Sequence, residues 1–220
     1  YALLEMIGPW ILIGTAEQKI SSGLAGLLVA SVPIWATLFA SMRGDKTVWQ
    51  PKRLFGIIVG FIGLIAVVGI ESITGSADVL SIFMVLLASI GYSYAVMMVQ
   101  GALPGVSGVA INGLAMAVVA VVYSIPALGN LPKEFSAGPP IEAWSSLLGL
   151  GIFCTSLAFV AFFRLLNEID VARASLVTYM NMAVAVFLGV ILLGEPITTG
   201  ILIGFPLVLI GSVLATRKHV

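Results

Sequence analysis

Long apolar runs, each closed by a cluster of charged, Gly or Pro residues, divide this chain into eight segments. The first covers about Ala2 to Ala16 and ends at Glu17, Gln18 and Lys19. The second covers Ser21 to Met42 and ends at Arg43, Gly44, Asp45 and Lys46. The third runs from Lys52 to Ile70, the fourth from Asp78 to Val99 and the fifth from Ser107 to Leu128. A stretch with Pro132, Gly138, Pro139 and Pro140, from Gly129 to Glu142, reads as the longest loop. The sixth segment runs from Ala143 to Phe163, the seventh from Ala172 to Leu193 and the eighth from Thr198 to Thr216. An uncharged run of about twenty residues at 1.5 Å each covers roughly 30 Å, the hydrocarbon core of a bilayer. The pattern therefore predicts an all-α, polytopic membrane protein with eight transmembrane helices.

Two of these stretches echo each other. Laying Ile20 on Ile169 puts Ala25 on Ala174, Leu27 on Leu176 and Ala36 on Ala185, and Gly44 on Gly194 after a one-residue gap. The echo continues into the following helices, where Leu54 and Gly56 match Leu202 and Gly204, and Ile62 and Gly63 match Ile210 and Gly211. Segments one to three thus correspond to segments six to eight, while segments four and five have no upstream counterpart. Residues 1–70 read as the last three helices of a first repeat, and residues 78–216 as a complete five-helix second repeat. Ten helices are the expectation for two whole repeats. An odd number of spans per repeat turns the second upside down relative to the first, the inverted-topology arrangement of secondary transporters. The first segment, at about fifteen residues or about 23 Å, is short of a full crossing and fits a chain entered part-way.

Composition narrows the class. Hydrophobic residues make up 60 % of the chain and charged residues 9 %, against about 25 % charged in a soluble domain. The formal net charge is zero, which argues against a nucleic-acid partner. Cys154 is the only cysteine, so no intrachain disulfide forms, and His219 is the only histidine, so no His-based metal or catalytic cluster is expected. No cofactor is implied. The chain opens on Tyr1-Ala2-Leu3-Leu4, without the basic stretch and small-residue cleavage site of a signal peptide. HExxH, GxSxG, a phosphate-binding glycine loop and paired acids within a span are all absent, so the chain does not read as an enzyme.

Basic residues set the expected orientation. With eight spans both ends face one side, which then holds Arg43, Lys46, Lys52, Arg53, Arg164, Arg173, Arg217 and Lys218; the other holds Lys19 and Lys133. Eight against two places the C-terminus in the cytoplasm of a cell-membrane protein and the Pro-rich stretch outside.

The motifs converge on one family. Ser31, Pro33 to Phe39 (PIWATLF), the Gly44-Asp45 turn, and Lys52-Arg53-Leu54 followed by Gly56, Gly60, Gly63 and Gly69 resemble the EamA-type family of the drug/metabolite transporter superfamily. The second copy, Ala172 to Tyr179 and on to Leu192-Leu193-Gly194-Glu195-Pro196, is closer still to that pattern. The resemblance covers essentially the whole chain, from the third of ten expected helices onward. It implies two inverted five-helix repeats, cytoplasmic termini, and export or exchange of small metabolites, amino acids or drugs without ATP. The chain departs from the pattern in two places. The family's first two helices have no counterpart, and Met182 stands where the family usually carries a proline, which should leave the seventh segment straight.

Candidate functional residues are polar groups inside apolar spans. Glu5 is the one acid within a span rather than at its edge; such a carboxylate faces a cavity or a partner and could take up a proton or bind a cationic group. Pro9 and Trp10 follow one turn on, with Trp10 either lining the same cavity or anchoring packing. Tyr179 and Asn181 lie mid-span in the seventh segment, where an interhelical bond and a solute contact are both open readings. Tyr92 and Tyr94, two apart, face different sides of one helix, so at most one lines a cavity. Asn112 lies near the start of the fifth segment. The proposed solute-lining set is therefore Glu5, Trp10, Tyr92, Asn112, Tyr179 and Asn181. Thr155 and Ser156 suit bonds to their own helix backbone, and Trp35 suits packing. Gly56, Gly60 and Gly63 give small-xxx-small spacing, for packing within the chain or for a homodimer face. Arg43 and Arg53 read as topology signals and Glu195-Pro196 as a tight turn. The expected partners are a small-molecule solute, the lipid bilayer and a proton as coupling ion. The competing reading is a membrane assembly or regulatory subunit that keeps the transporter scaffold without transport.

Overall fold

The computed structural model describes residues 1–74, 78–103, 105–158, 160, 161, 164, 165 and 176–216. All regular structure among the described residues is helical. Helix α1 spans Leu3–Ala16, opening with a π-helical turn before Pro9. Helices α2 (Ser22–Val29) and α3 (Val32–Met42) are two halves of one span. Then follow α4 (Pro51–Thr74), α5 (Val79–Ala102), α6 (Gly108–Ala137), α7 (Ile141–Leu157, π-helical over its second half), α8 (Leu176–Leu193) and α9 (Thr199–Thr216). By length and apolarity Ser22–Met42, Pro51–Ile70, Val79–Val99 and Gly108–Gly129 can each cross a bilayer; α1, α7, α9 and Ala183–Leu193 of α8 are shorter apolar helices. The chain is an all-α polytopic membrane protein, as its hydrophobic pattern predicts.

Two compact units emerge, Tyr1–Gly105 with Thr178–Val220, and Val106–Val177. In the first, glycines decide the closest helix contact. Gly56, Gly60 and Gly63 of α4 meet Gly211, Val208, Leu207 and Gly204 of α9 in antiparallel order, and a Cβ at Gly211 would fall on the backbone of Gly60. The crossing is symmetric. Gly56 abuts Gly211 while Gly63 abuts Gly204. The sequence alignment pairs Gly56 with Gly204 and Gly63 with Gly211, and exchanging those pairs returns the same contacts. The glycines serve packing within the chain, one of the two roles the sequence left open. Leu64 and Val67 of α4, Ile201 and Val208 of α9, Ile82 and Val85 of α5, and Leu24, Leu27 and Leu28 of α2 form the core beside this crossing.

The second predicted segment is one span broken in its middle, at Ala30 and Ser31. Pro33 supplies no N–H, and the ladder slips to the tighter three-residue pattern: Ser31 N–H bonds Leu28 O at 3.1 Å and Ile34 N–H bonds Ser31 O at 2.9 Å. Ile34 N–H would otherwise serve Ala30 O, and that carbonyl is taken up by the Ser212 hydroxyl of α9 at 3.1 Å. Ser93 of α5 donates to Val32 O at 2.8 Å and Ser89 to Leu28 O at 3.2 Å. Ser31 itself donates to Leu28 O at 2.6 Å. Carbonyls released at a kink inside lipid need such partners. By contrast α8 is unbroken through Met182, in keeping with the missing proline.

This unit buries several polar side chains in its apolar core and exposes an apolar face. Ser31, Ser89, Ser93, Ser212, Thr37 and Arg53 are buried, whereas Phe55, Ile58, Ile62 and Ile65 form an exposed stripe along α4. The stripe follows helical spacing opposite the glycine face, which is the arrangement of a helix bathed in lipid on one side.

In the second unit α6 corrects an expectation. The stretch from Gly129 to Glu142 is not one long loop: α6 stays helical through Pro126 and Pro132 to Ala137, and the turn shrinks to Gly138, Pro139 and Pro140. A proline removes one ladder bond and bends a helix without ending it, and the residues after Pro132 are free to resume helical geometry. In α7, Thr155 Oγ1 donates to Leu150 O at 2.8 Å and Ser156 Oγ to Gly151 O at 2.9 Å. Both hydroxyls bond their own helix, as expected.

Candidate functional site

Glu5 sits in the π-helical turn of α1, half-buried, with Oε2 shielded from solvent and without a hydrogen-bond partner among the described residues. It opens on a cavity of about 540 Å³ in the first unit. Tyr92 and Ser93 of α5, Asn181 of α8 and Val29 of α2 share its wall with Ala36 and Ala40 of α3. The wall is mainly apolar, with one carboxylate and a few hydroxyl and amide groups, the composition of a small-molecule site.

Helix geometry selects which predicted residues reach this cavity. Tyr92 lines it, while Tyr94 is exposed and packs edge-on against Phe39, ring centroids 5.6 Å apart. The pair splits between two helix faces, as the two-residue spacing requires. Trp10 is exposed and outside the cavity wall, with its side chain near the Tyr92 phenol. Asn181 lines the cavity directly. Tyr179 lies on α8, with its side chain outside the described residues. Asn112 lies half-buried on α6 in the second unit. Trp35 is a packing residue; its ring stands edge-on to Phe61 at 5.3 Å and its Nε1 donates to Ser31 Oγ at 3.0 Å.

A second cavity, about 370 Å³, lies between α1, α2 and α8. Glu17, Ser22 and Gly189 line it toward the Lys19 end of the helices, and Val29 and Asn181 line it at its inner end. Glu17 is exposed as a residue, yet enough protein surrounds its carboxyl to push it above the ordinary carboxylate range, with the nearby Glu195 charge adding to the effect.

Glu195 is the functional-looking residue that sequence reasoning missed. Beyond closing a turn, it caps α2. Ser22 N–H donates to Oε1 at 2.8 Å, Gly23 N–H to Oε2 at 3.1 Å, and the Ser22 hydroxyl to Oε2 at 3.0 Å. Ser21 Oγ accepts the next donor, Leu24 N–H, at 3.2 Å. The orphan N–H groups of the first turn are thereby satisfied, by a charge of the sign the helix dipole favours. The N-cap serine is legible in sequence; a partner 173 residues away is not.

Two arginines bond backbone carbonyls of other helices. Arg53 is buried, donates Nε to Ala215 O of α9 at 2.9 Å and lies 3.5 Å from Asp45. Arg43 donates Nη1 to Met97 O of α5 at 2.8 Å. Both therefore act as structural clamps between helices. No group of three or more His, Cys, Asp or Glu side chains placed to hold a metal ion occurs among the described residues.

Comparison with known proteins adds the family context. The EamA-like transporter family matches residues 79–217. An uncharacterized transporter of Archaeoglobus fulgidus is 26 % identical over 210 residues, covering 95 % of this chain and 73 % of that protein. The uncharacterized inner membrane transporter YedA of Escherichia coli is 28 % identical over 200 residues, covering 89 % of this chain and 62 % of that one. A probable terminal-alkyne amino-acid exporter of Streptantibioticus cattleyicolor is 24 % identical over 210 residues, covering 94 % of this chain and 68 % of the exporter. No solved structure matches.

Proposed function

The chain belongs to the EamA-like transporter family, and from that premise we propose that it is a secondary transporter of small organic solutes, with Glu5 as its proton- or cation-responsive group. The observation that carries this reading is the Glu5 carboxylate itself. An acid in a membrane helix, with one oxygen shielded and unbonded at the wall of a cavity, is costly to hold unless a proton or a cationic group comes to it. Tyr92 and Asn181 supply the orienting hydroxyl and amide, and the valine and alanine walls accept the solute's apolar part.

The repeat read in the sequence supports alternating access. Two copies that pack through a symmetric α4–α9 crossing can exchange conformations, opening the path to one side and then the other. Net movement requires that the two states differ in affinity for solute or coupling ion. The excess of basic residues at the Arg43 end supports a cytoplasmic location for that end. Relatives named as transporters support movement of a solute, and the one named for amino-acid export puts zwitterionic solutes in the panel to be tried first.

The test is flux in proteoliposomes across a panel of amino acids, other metabolites and cationic drugs, with and without a pH gradient, comparing wild type with Glu5→Gln. Flux driven by the gradient in wild type and indifferent to it in the variant is expected. Flux that ignores both the gradient and the substitution overturns the assignment of Glu5.

A further inference from the structure

Val29 and Asn181 have a property that no other described residue shares: they line both cavities. One cavity extends from them toward Glu5 and Ala40, the other toward Glu17 and Gly189. In α2 and α3 the chain runs from Ser22 past Val29 to Ala40, so the cavities lie on opposite sides of Val29 along the span. In α8 Asn181 lies two turns from Gly189, again between them. We propose that the two cavities are opposite ends of one solute path, and that Val29 and Asn181 form the partition that closes it in this conformation. The inference rests on the transport reading above and gives it a gate.

Packing explains why the partition lies there. Gly26 lets α2 approach α8 until a Cβ would come within 2.9 Å of Ala185 Cβ, and Gly23 packs on Val186. One turn further along the antiparallel pair, three residues on from Gly26 and four back from Ala185, the facing positions are Val29 and Asn181. At this level α2 carries a branched side chain where it carries glycine one turn earlier. The Glu195 bonds to Ser22 and Gly23 tie the same two helices together at the Lys19 end, so the carboxylate holds the pair that carries the partition. Asn181 gives the partition a polar face, offering an amide to a solute arriving from either cavity.

The test uses sided thiol labelling, which needs no knowledge of the solute. In a Cys154→Ser background, Ala40→Cys reports on the Glu5 cavity and Leu192→Cys on the other. Each is treated in oriented proteoliposomes with a membrane-impermeant maleimide from one face at a time. Each cysteine should react from its own face alone. Adding Val29→Gly should raise reaction from the opposite face by about tenfold or more, since a barrier has been removed. Asn181→Ala should do the same more weakly, which keeps the idea testable if one variant folds poorly. Labelling of both cysteines from both faces in the parent, or cross-face labelling unmoved by either substitution, overturns the partition. Sided labelling that collapses in Val29→Gly, with no flux of any solute, upholds the partition and sinks the transport reading instead.

Discussion

Gly211 of α9 and Gly60 of α4 touch backbone to backbone, with no room for a side chain on either. The contact belongs to a crossing in which Gly56 faces Gly211 and Gly63 faces Gly204. Two helices that carry the same seven-residue glycine spacing thus meet through matching positions. In lipid no hydrophobic force drives helices together, so close approach of this kind is a main source of cohesion.

Gly211→Ala should therefore cost about 2 kcal/mol or more, because the added methyl must displace backbone rather than a flexible side chain. Gly69 in the same α4 meets nothing within 4 Å. Gly69→Ala should be neutral or stabilising by about 0.5–1 kcal/mol, from helix propensity alone. Thermal unfolding in detergent, read by loss of the monodisperse peak, compares the two. Equal effects would remove the crossing from its central place.

Glu195 should matter through hydrogen bonds that truncation exposes. Glu195→Ala leaves Ser22 and Gly23 N–H groups without their acceptor and should cost about 2 kcal/mol, the scale for bonds to a charged group. Glu195→Gln keeps an acceptor oxygen and should cost less. Hydrogen exchange of the Ser22 and Gly23 amides, followed by mass spectrometry, should rise in the alanine variant; unchanged protection would mean that the cap contributes nothing.

The serines around the Pro33 kink should act as a group. Ser212→Ala and Ser93→Ala each remove an interhelical bond to a kink carbonyl, at a cost of about 0.6 kcal/mol apiece. Combining both with Ser89→Ala should lose about 2 kcal/mol, with trypsin or thermolysin sensitivity increasing at the α2–α3 junction. A triple variant as stable as the parent would show that the kink needs no hydroxyl partners.

Glu17 makes a pH-dependent prediction. Its folded carboxyl titrates above the ordinary range, through burial first and Glu195 second. The stability it leaves intact below the unfolded value, about pH 4.3, is lost as pH rises through the folded value. Glu17→Gln should then match the parent at about pH 4 and exceed it at about pH 7, by under about 1 kcal/mol because solvent screens the group. Asp78 runs the other way. Its carboxylate accepts Ser81 N–H and Oγ–H at 2.9 Å each, which lowers its titration, so its contribution is present above the unfolded value and lost as pH falls through the folded one. Thermal scans across pH separate the two signs.

Apolar run length was enough to determine the all-helical class and the membrane as solvent, because lipid leaves an isolated segment no conformation but a helix that bonds itself. Residue spacing also settled that Tyr92 and Tyr94 part company, since helix period alone decides it. Other features were set only in three dimensions. The break at Ala30 and Ser31 was invited by Pro33, but its place in the fold depends on Ser89, Ser93 and Ser212, which lie up to 182 residues away. Glu195 looked like a turn residue until α2 presented its N–H groups to it. Nothing in the sequence marks Val29 as the valine that lines two cavities. In each case the sequence supplied the donor, acceptor or bulk. Which group it would meet was decided by tertiary packing, because partners on different helices leave no periodic trace along the chain.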